Sequence, residues 1–158
     1  MHEIPIRSFQ VSCFLLRRLE TTTEVLLLKR AQKAILGGVW CQVAGSIEHG
    51  ETAVDAVFRE VEEETGLRPS EIYSTMECEQ YYRLDLNCIS VLPVFVAFVG
   101  CEEDVRINYE HSEHGWFDIN EARELLPLPI QRKLLSRVEE EFIKRDPSPA
   151  AKVSRSGA

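Results

Sequence analysis

Residues 45–67 read GSIEHGETAVDAVFREVEEETGL, and no other segment limits the possible folds as much. A glycine-bearing turn leads into Thr52, after which Val54, Val57, Phe58 and Val61 recur at i, i+3, i+4 and i+7, the stripe of a helix packed on a core. Gly66 supplies the stop. At about 100° per residue, Glu60, Glu63 and Glu64 share one helix face within about a turn, expected to lie away from the apolar stripe. Ala53 and Ala56 fall on that side a turn or two earlier, leaving room for something to approach. Like charges so close cost a helix a few tenths of a kcal/mol per pair. The face is therefore either solvated acidic surface or a cation site, and hard carboxylate oxygens select Mg²⁺ or Mn²⁺. Because Mg²⁺ shares its coordination sphere with substrate phosphates, the second alternative points to phosphate chemistry.

The remaining sequence supplies a sheet for this helix to cover. Apolar, β-rich runs at 9–16, 24–30, 39–44, 77–83, 88–99 and 114–118 read as strands, the fifth bent at Pro93. Helices are expected at 120–126 and 129–144, the latter with Ile130, Leu134, Leu135, Val138 and Phe142 at helical spacing. The order is mixed α and β, an α+β chain with no repeat or internal linker. At 158 residues it suits one hydrophobic core. The domain is expected to span 1–145, and the small, polar residues 146–158 to form a disordered tail.

Charge and cysteine usage narrow the class further. With 18 basic and 26 acidic residues the formal charge is −8, which counts against a broad basic surface for nucleic acid or anionic membrane. Cys13, Cys41, Cys78, Cys88 and Cys101 are scattered singly, the pattern of reduced thiols in the cytoplasm. The amino terminus lacks the basic and apolar regions of a signal peptide, and the apolar run at 88–99 falls short of the ~20 residues of a membrane span.

The full spacing of residues 45–67 resembles the Nudix hydrolase signature G-x5-E-x7-R-E-U-x-E-E-x-G-U, where U is a bulky aliphatic residue. Gly45, Glu51, Arg59, Glu60, Val61, Glu63, Glu64, Gly66 and Leu67 fill every specified position. The resemblance implies the Nudix fold, an α/β/α sandwich around a mixed β-sheet. It also implies a metal-dependent hydrolase of nucleoside diphosphates linked to another group, acting on a small nucleotide-type substrate as a monomer or homodimer. Glu60, Glu63 and Glu64 would be metal ligands with the Gly45 carbonyl in the same shell. Glu51 and Arg59 would be supports, Arg59 being suited to pin a carboxylate bidentately and hold the helix and loop in register. The general base in such enzymes is a box glutamate, here Glu60, or one from a loop before the last sheet strand, here Glu110, with Glu113 a weaker candidate.

Ala44-Gly45-Ser46 replaces the Pro-Gly-Gly common in relatives, and the phrase running from Trp40 to Thr52 looks like the branch containing dATP and dihydroneopterin triphosphate pyrophosphohydrolases. That resemblance implies a triphosphate cleaved to a monophosphate and pyrophosphate. The alternatives are a hydrolase of ADP-ribose, nucleotide sugars or dinucleoside polyphosphates, and a non-catalytic nucleotide sensor. On the substrate side, Arg30 is the strongest phosphate contact among Lys29, Arg30 and Lys33. Trp40, Tyr81 and Tyr82 offer faces for stacking a base or, equally, core packing. Ser46 is a substrate contact or merely a small turn residue. His111 and His114 lack further ligands at zinc spacing, and Cys41 and Cys88 read as inert buried thiols.

Overall fold

The computed structural model describes residues 1–156, and its core is one mixed sheet with helices on both faces. The strands are β1 (Ile6–Arg7), β2 (Gln10–Arg18), β3 (Thr23–Arg30), β4 (Trp40–Cys41), β5 (Val43–Ser46), β6 (Glu71–Arg83), β7 (Cys88–Phe98), β8 (His111–Asp118) and β9 (Lys152–Val153). The helices are α1 (Ala53–Thr65), α2 (Ile119–Leu125) and α3 (Pro129–Val138). The sheet runs β4-β3-β2-β7-β6-β9, with β8 on β3, β5 on the first half of β2, and β1 on β7. Strands β2 and β7 are parallel, and most other pairs are antiparallel.

Alternation along β2 sorts the core into two layers. Phe14 and Leu16 face α2 and α3, joining Val25, Val96, Ala122, Leu126, Leu135 and Val138. Val11, Cys13 and Leu15 face α1, joining Leu28, Val43, Val57, Val61 and Ala97. This is the α/β/α sandwich expected from the signature. Among the described residues no helix is long and apolar enough to cross a membrane.

Helix α1 starts at Thr52, whose hydroxyl accepts from the Asp55 N–H at 3.1 Å while the Asp55 carboxylate accepts from the Thr52 N–H at 3.3 Å. This reciprocal cap satisfies two of the helix's orphan donors. The helix ends at Gly66, at φ 70° in the left-handed region, with its N–H on the Glu62 carbonyl at 2.8 Å. Gly66→Ala should therefore cost about 1 kcal/mol of stability and lower Tm by a few degrees in thermal unfolding. An unchanged Tm would contradict this account of the cap.

Four features differ from the sequence expectations. Strand β7 keeps its course at Pro93, and the irregularity falls on its partner β6, where the register shifts between Ser74 and Cys78. A proline cannot donate to the ladder, and a bulge opposite it removes that demand. The last helix changes to π-type hydrogen bonding over Glu139–Ile143, although Phe142 still packs on the sheet. Ala56 is fully buried against the core, so the space near the acidic residues opens elsewhere. Finally, part of the segment expected to be a tail is ordered. A 3₁₀ turn at Pro149–Ala151 leads into β9, which pairs with Ile72 and Tyr73 of β6, and Ser156 donates through its N–H and hydroxyl to Asp55 at 2.9 and 2.8 Å. The open edge of β6 offers unpaired backbone groups that even a polar segment can satisfy. Gly157 and Ala158 of that segment lie outside the described residues.

Candidate active site

Strand β5 and helix α1 meet at Gly45. A Cβ at that position would lie 1.9 Å from the carboxyl carbon of Glu60, so only a glycine lets the carboxylate rest against the strand. Glu60 and Glu64 consequently face the sheet rather than solvent, with exposures of 9% and 3%. The expectation that the acidic face lies away from the apolar stripe is corrected here. Glu64 sits at i+7 from Val57 and shares its side of the helix, whereas Glu63 stays exposed.

Arg59 organises the cluster. Its Nε and Nη2 donate to the two oxygens of Glu51 at 2.8 and 2.9 Å, a bidentate pair across eight residues. Nη2 also reaches the Ser46 carbonyl at 2.7 Å, and Nη1 donates to Glu60 at 2.8 Å and Glu63 at 3.0 Å. Glu51 accepts the Glu48 N–H as well, at 2.9 Å. These hydrogen bonds, the Arg59 ones foremost, hold the Glu51 carboxyl down at about 2. One guanidinium thus ties loop, strand and helix together.

Glu60 and Glu64 are held in the opposite direction. Burial pushes Glu64 up to about 9, and the charges of Glu60 and Glu110 add to the shift, while the Ala44 N–H and Arg30 oppose it. Burial also raises Glu60, with Glu63 and Glu110 contributing and Arg59 opposing. Glu110, on the loop before β8, therefore acts on both buried glutamates. The loop is tied to β3 through the Ala31 N–H, which donates to the Glu110 carbonyl at 2.8 Å. Glu113 is turned away and pairs with Lys29 at 3.0 Å.

A cleft of about 410 Å³ opens beside this cluster, lined among others by Arg30, Trp40, Gly45, Ser46, Arg59, Glu60, Glu63, Tyr81 and Glu110. Arg30 is held by a hydrogen bond from its Nε to the Ile35 carbonyl at 2.7 Å. Trp40 meets the cleft and also packs edge-on against Phe117, ring centroids 5.3 Å apart, so core and cleft readings both describe it. Tyr82 alternates to the other face of β6 and bonds Asn87 at 2.7 Å. His111 is buried, and burial followed by the Arg30 charge depresses its pKa to about 4. Sequence reasoning missed Gln10, Gln42, Glu79 and Gln131, which also line the cleft. The available signal was a polar residue inside an apolar run, as with Gln42 between Cys41 and Val43.

A sequence model of the NUDIX domain matches residues 8–138. The chain belongs to the Nudix family. An octanoyltransferase of Myxococcus xanthus is 33% identical over 120 residues, and the match covers 72% of this chain but 31% of that protein, so the chain spans about a third of that relative. The asymmetrical bis(5'-nucleosyl)-tetraphosphatase of Rattus norvegicus is 25% identical over 117 residues, covering 70% of this chain and 76% of the relative. In the structure of the E. coli dihydroneopterin triphosphate pyrophosphohydrolase, 22% identical, the same fold aligns with a TM-score of 0.66 over 88% of this chain and 100% of that one.

Nudix hydrolases generally use divalent metal ions, and the donor set of this chain fits one. Every candidate ligand is a hard oxygen, and Glu64 Oε2 is buried without a hydrogen-bond partner. Among the described residues no three His, Cys, Asp or Glu side chains form a ready cage. Mg²⁺ does not require one, because it keeps several waters and takes one or two carboxylates with substrate phosphates.

Proposed function

We propose that this Nudix domain is a metal-dependent pyrophosphohydrolase that converts a nucleoside triphosphate, or a related pterin triphosphate, to the monophosphate and pyrophosphate. The observation that carries the reading is the crowding of buried Glu60 and Glu64 with half-buried Glu110, whose charges disfavour one another, beside a cleft whose wall also holds Arg30 and Arg59. Glu60, Glu63, Glu64 and the Gly45 carbonyl would hold Mg²⁺ or Mn²⁺, with Arg59 and Glu51 fixing the helix that carries them. A bound ion supplies charge neutralisation at the phosphoryl oxygens and lowers the pKa of the attacking water. That water's oxygen bonds to phosphorus, the P–O bond to the leaving pyrophosphate breaks, and a carboxylate takes the proton. Arg30 would bind phosphate oxygens, and Trp40 and Tyr81, which line the same cleft, would flank the base.

The test is phosphate and pyrophosphate release from nucleoside triphosphates, dihydroneopterin triphosphate, ADP-ribose and diadenosine polyphosphates, with Mg²⁺ or Mn²⁺ and with EDTA. Pyrophosphate release from a triphosphate, abolished by EDTA, is the expected result. Turnover confined to the dinucleoside polyphosphates would favour an activity like that named for the rat relative, and nucleotide binding without turnover would favour a sensor. For the base, Glu60 and Glu110 are the two candidates. If Glu110 takes the proton, Glu110→Gln should lower kcat about 10²-fold or more with little change in KM. A kcat close to normal in that variant, with a collapse in Glu60→Gln, would move the role to the helix.

A further inference from the structure

The cleft is also floored by polar side chains that the hydrolytic chemistry does not use. Gln42 and Glu79 are 2% and 3% exposed and Gln131 is 8% exposed, and all three line the cleft with Gln10. Three come from separate elements, Gln10 from β2, Glu79 from β6 and Gln131 from α3, while Gln42 sits between β4 and β5. The Gln42 amide is oriented by its neighbours, because its Nε2 donates both hydrogens, to Ser12 Oγ at 2.9 Å and to Glu79 Oε2 at 3.0 Å. Its Oε1 is left buried and without a partner, and so are Oε1 of Gln10 and of Gln131. Burial raises the Glu79 pKa, while hydrogen bonds from Gln131, Ser12 and Gln42 favour its charged form.

Buried polar atoms in native proteins nearly always have partners, so three orphaned carbonyl oxygens on side chains that line one cleft, two of them on residues bonded to the Glu79 carboxylate, call for a donor from outside the chain. All three of these orphaned atoms are acceptors. A ligand that satisfies them must present adjacent N–H groups on one edge. Adenine and cytosine set an amino group beside a ring nitrogen lone pair, which would face the carboxylate. Uracil and thymine offer a single N–H between two carbonyls. Guanine and the pterins instead carry a ring N–H next to an exocyclic amino group, a pair that a carboxylate can accept bidentately.

We propose that Glu79, Gln42, Gln131 and Gln10 form a base-reading subsite that selects heterocycles with this 2-amino-4-oxo edge. The proposal rests on the cleft being the pyrophosphohydrolase site and names the substrate class of that site. Leu92 and Tyr81 line the same cleft and supply apolar surface for the ring faces.

The experiment compares GTP, ITP, ATP and dihydroneopterin triphosphate, measuring both Mg²⁺-dependent turnover and equilibrium binding for each. GTP and ITP differ only in the exocyclic amino group, and a site built to bond that group should prefer GTP in kcat/KM by ~10²-fold or more. Glu79→Gln should collapse the GTP to ITP ratio to within about threefold, through a loss in kcat/KM that is much larger for GTP than for ITP, because the variant loses the carboxylate that the amino group meets. Gln131→Met, at a helix position, tests the same floor should the strand variant fold poorly, and it should also narrow the ratio. The pterin arm separates the two sources of the edge: preference for either it or GTP supports the subsite and identifies the ligand. Equal turnover of GTP, ITP and ATP would overturn the subsite and leave the hydrolase reading standing. Selective binding of GTP or the pterin without turnover would support the subsite and overturn the hydrolase reading.

Discussion

Glu64→Gln is expected to lower metal-dependent turnover by about 10²-fold or more while making the metal-free protein less sensitive to alkaline pH. Both effects come from one buried carboxyl. Its Oε2 has no partner, and burial together with Glu60 and Glu110 moves its pKa from the ordinary 4.5 to about 9. Between those two values the folded state holds a proton that the unfolded chain has released. Stability is therefore fully present below the unfolded pKa and is lost as pH rises toward the folded one, at up to ~1.4 kcal/mol per pH unit for one group. Glu60, shifted in the same direction, adds to the trend. The metal-free wild type should show a falling Tm from about pH 6 to about pH 9, and Glu64→Gln a flatter one. Added Mg²⁺ or Mn²⁺ should bind the ionised folded form and raise the wild-type Tm most at the alkaline end. A variant with turnover within a few-fold of normal would remove Glu64 from the metal site.

The main helices and strands were legible in the sequence because their signals are local, while their arrangement as a sandwich came from the resemblance of residues 45–67 to the Nudix signature. Val57 and Val61 of the α1 stripe, and Leu134, Leu135 and Val138 of α3, are buried as their spacing predicts. Other features depend on partners far along the chain. The two-residue strands β1 and β9 exist because β7 and β6 offer them backbone groups, which composition cannot report. The acidic face shows the same limit in a different form. Helical spacing alone puts Glu64 on the Val57 side, yet charge argued for solvent, and only packing against β5 resolves the conflict. The polar floor under the cleft was invisible for a related reason. Gln10, Gln42, Glu79 and Gln131 are up to about 120 positions apart and are brought together by sheet order, and apart from Gln42 inside its apolar run each alone reads as an ordinary polar residue. Arg59 was the opposite case, since the bidentate grip on a carboxylate expected of it is found on Glu51.

Gly45→Ala is the second large effect expected, and it separates a backbone requirement from a chemical one. The added methyl would fall 1.9 Å from the Glu60 carboxyl carbon and 2.2 Å from each of its oxygens, where contacts under 3.0 Å force something to move. The strand cannot yield easily, because Gly45 is paired with Val11 of β2. Glu60 must move instead, giving up its place against β5 and its 2.8 Å bond from Arg59. If Glu60 serves as metal ligand or base, a displacement of that size should cost about 10²-fold in turnover, whereas folding stability should fall by only ~1–3 kcal/mol, the usual penalty for one extra methyl in a packed site. The decisive comparison is Gly45→Ala, Glu60→Gln and the double variant. If the glycine acts through Glu60, the double variant should be scarcely slower than Glu60→Gln alone, since a group already disabled has little left to lose by being moved. Losses that multiply would mean that Gly45 serves the reaction by a route independent of Glu60, and its carbonyl would then be the group to follow.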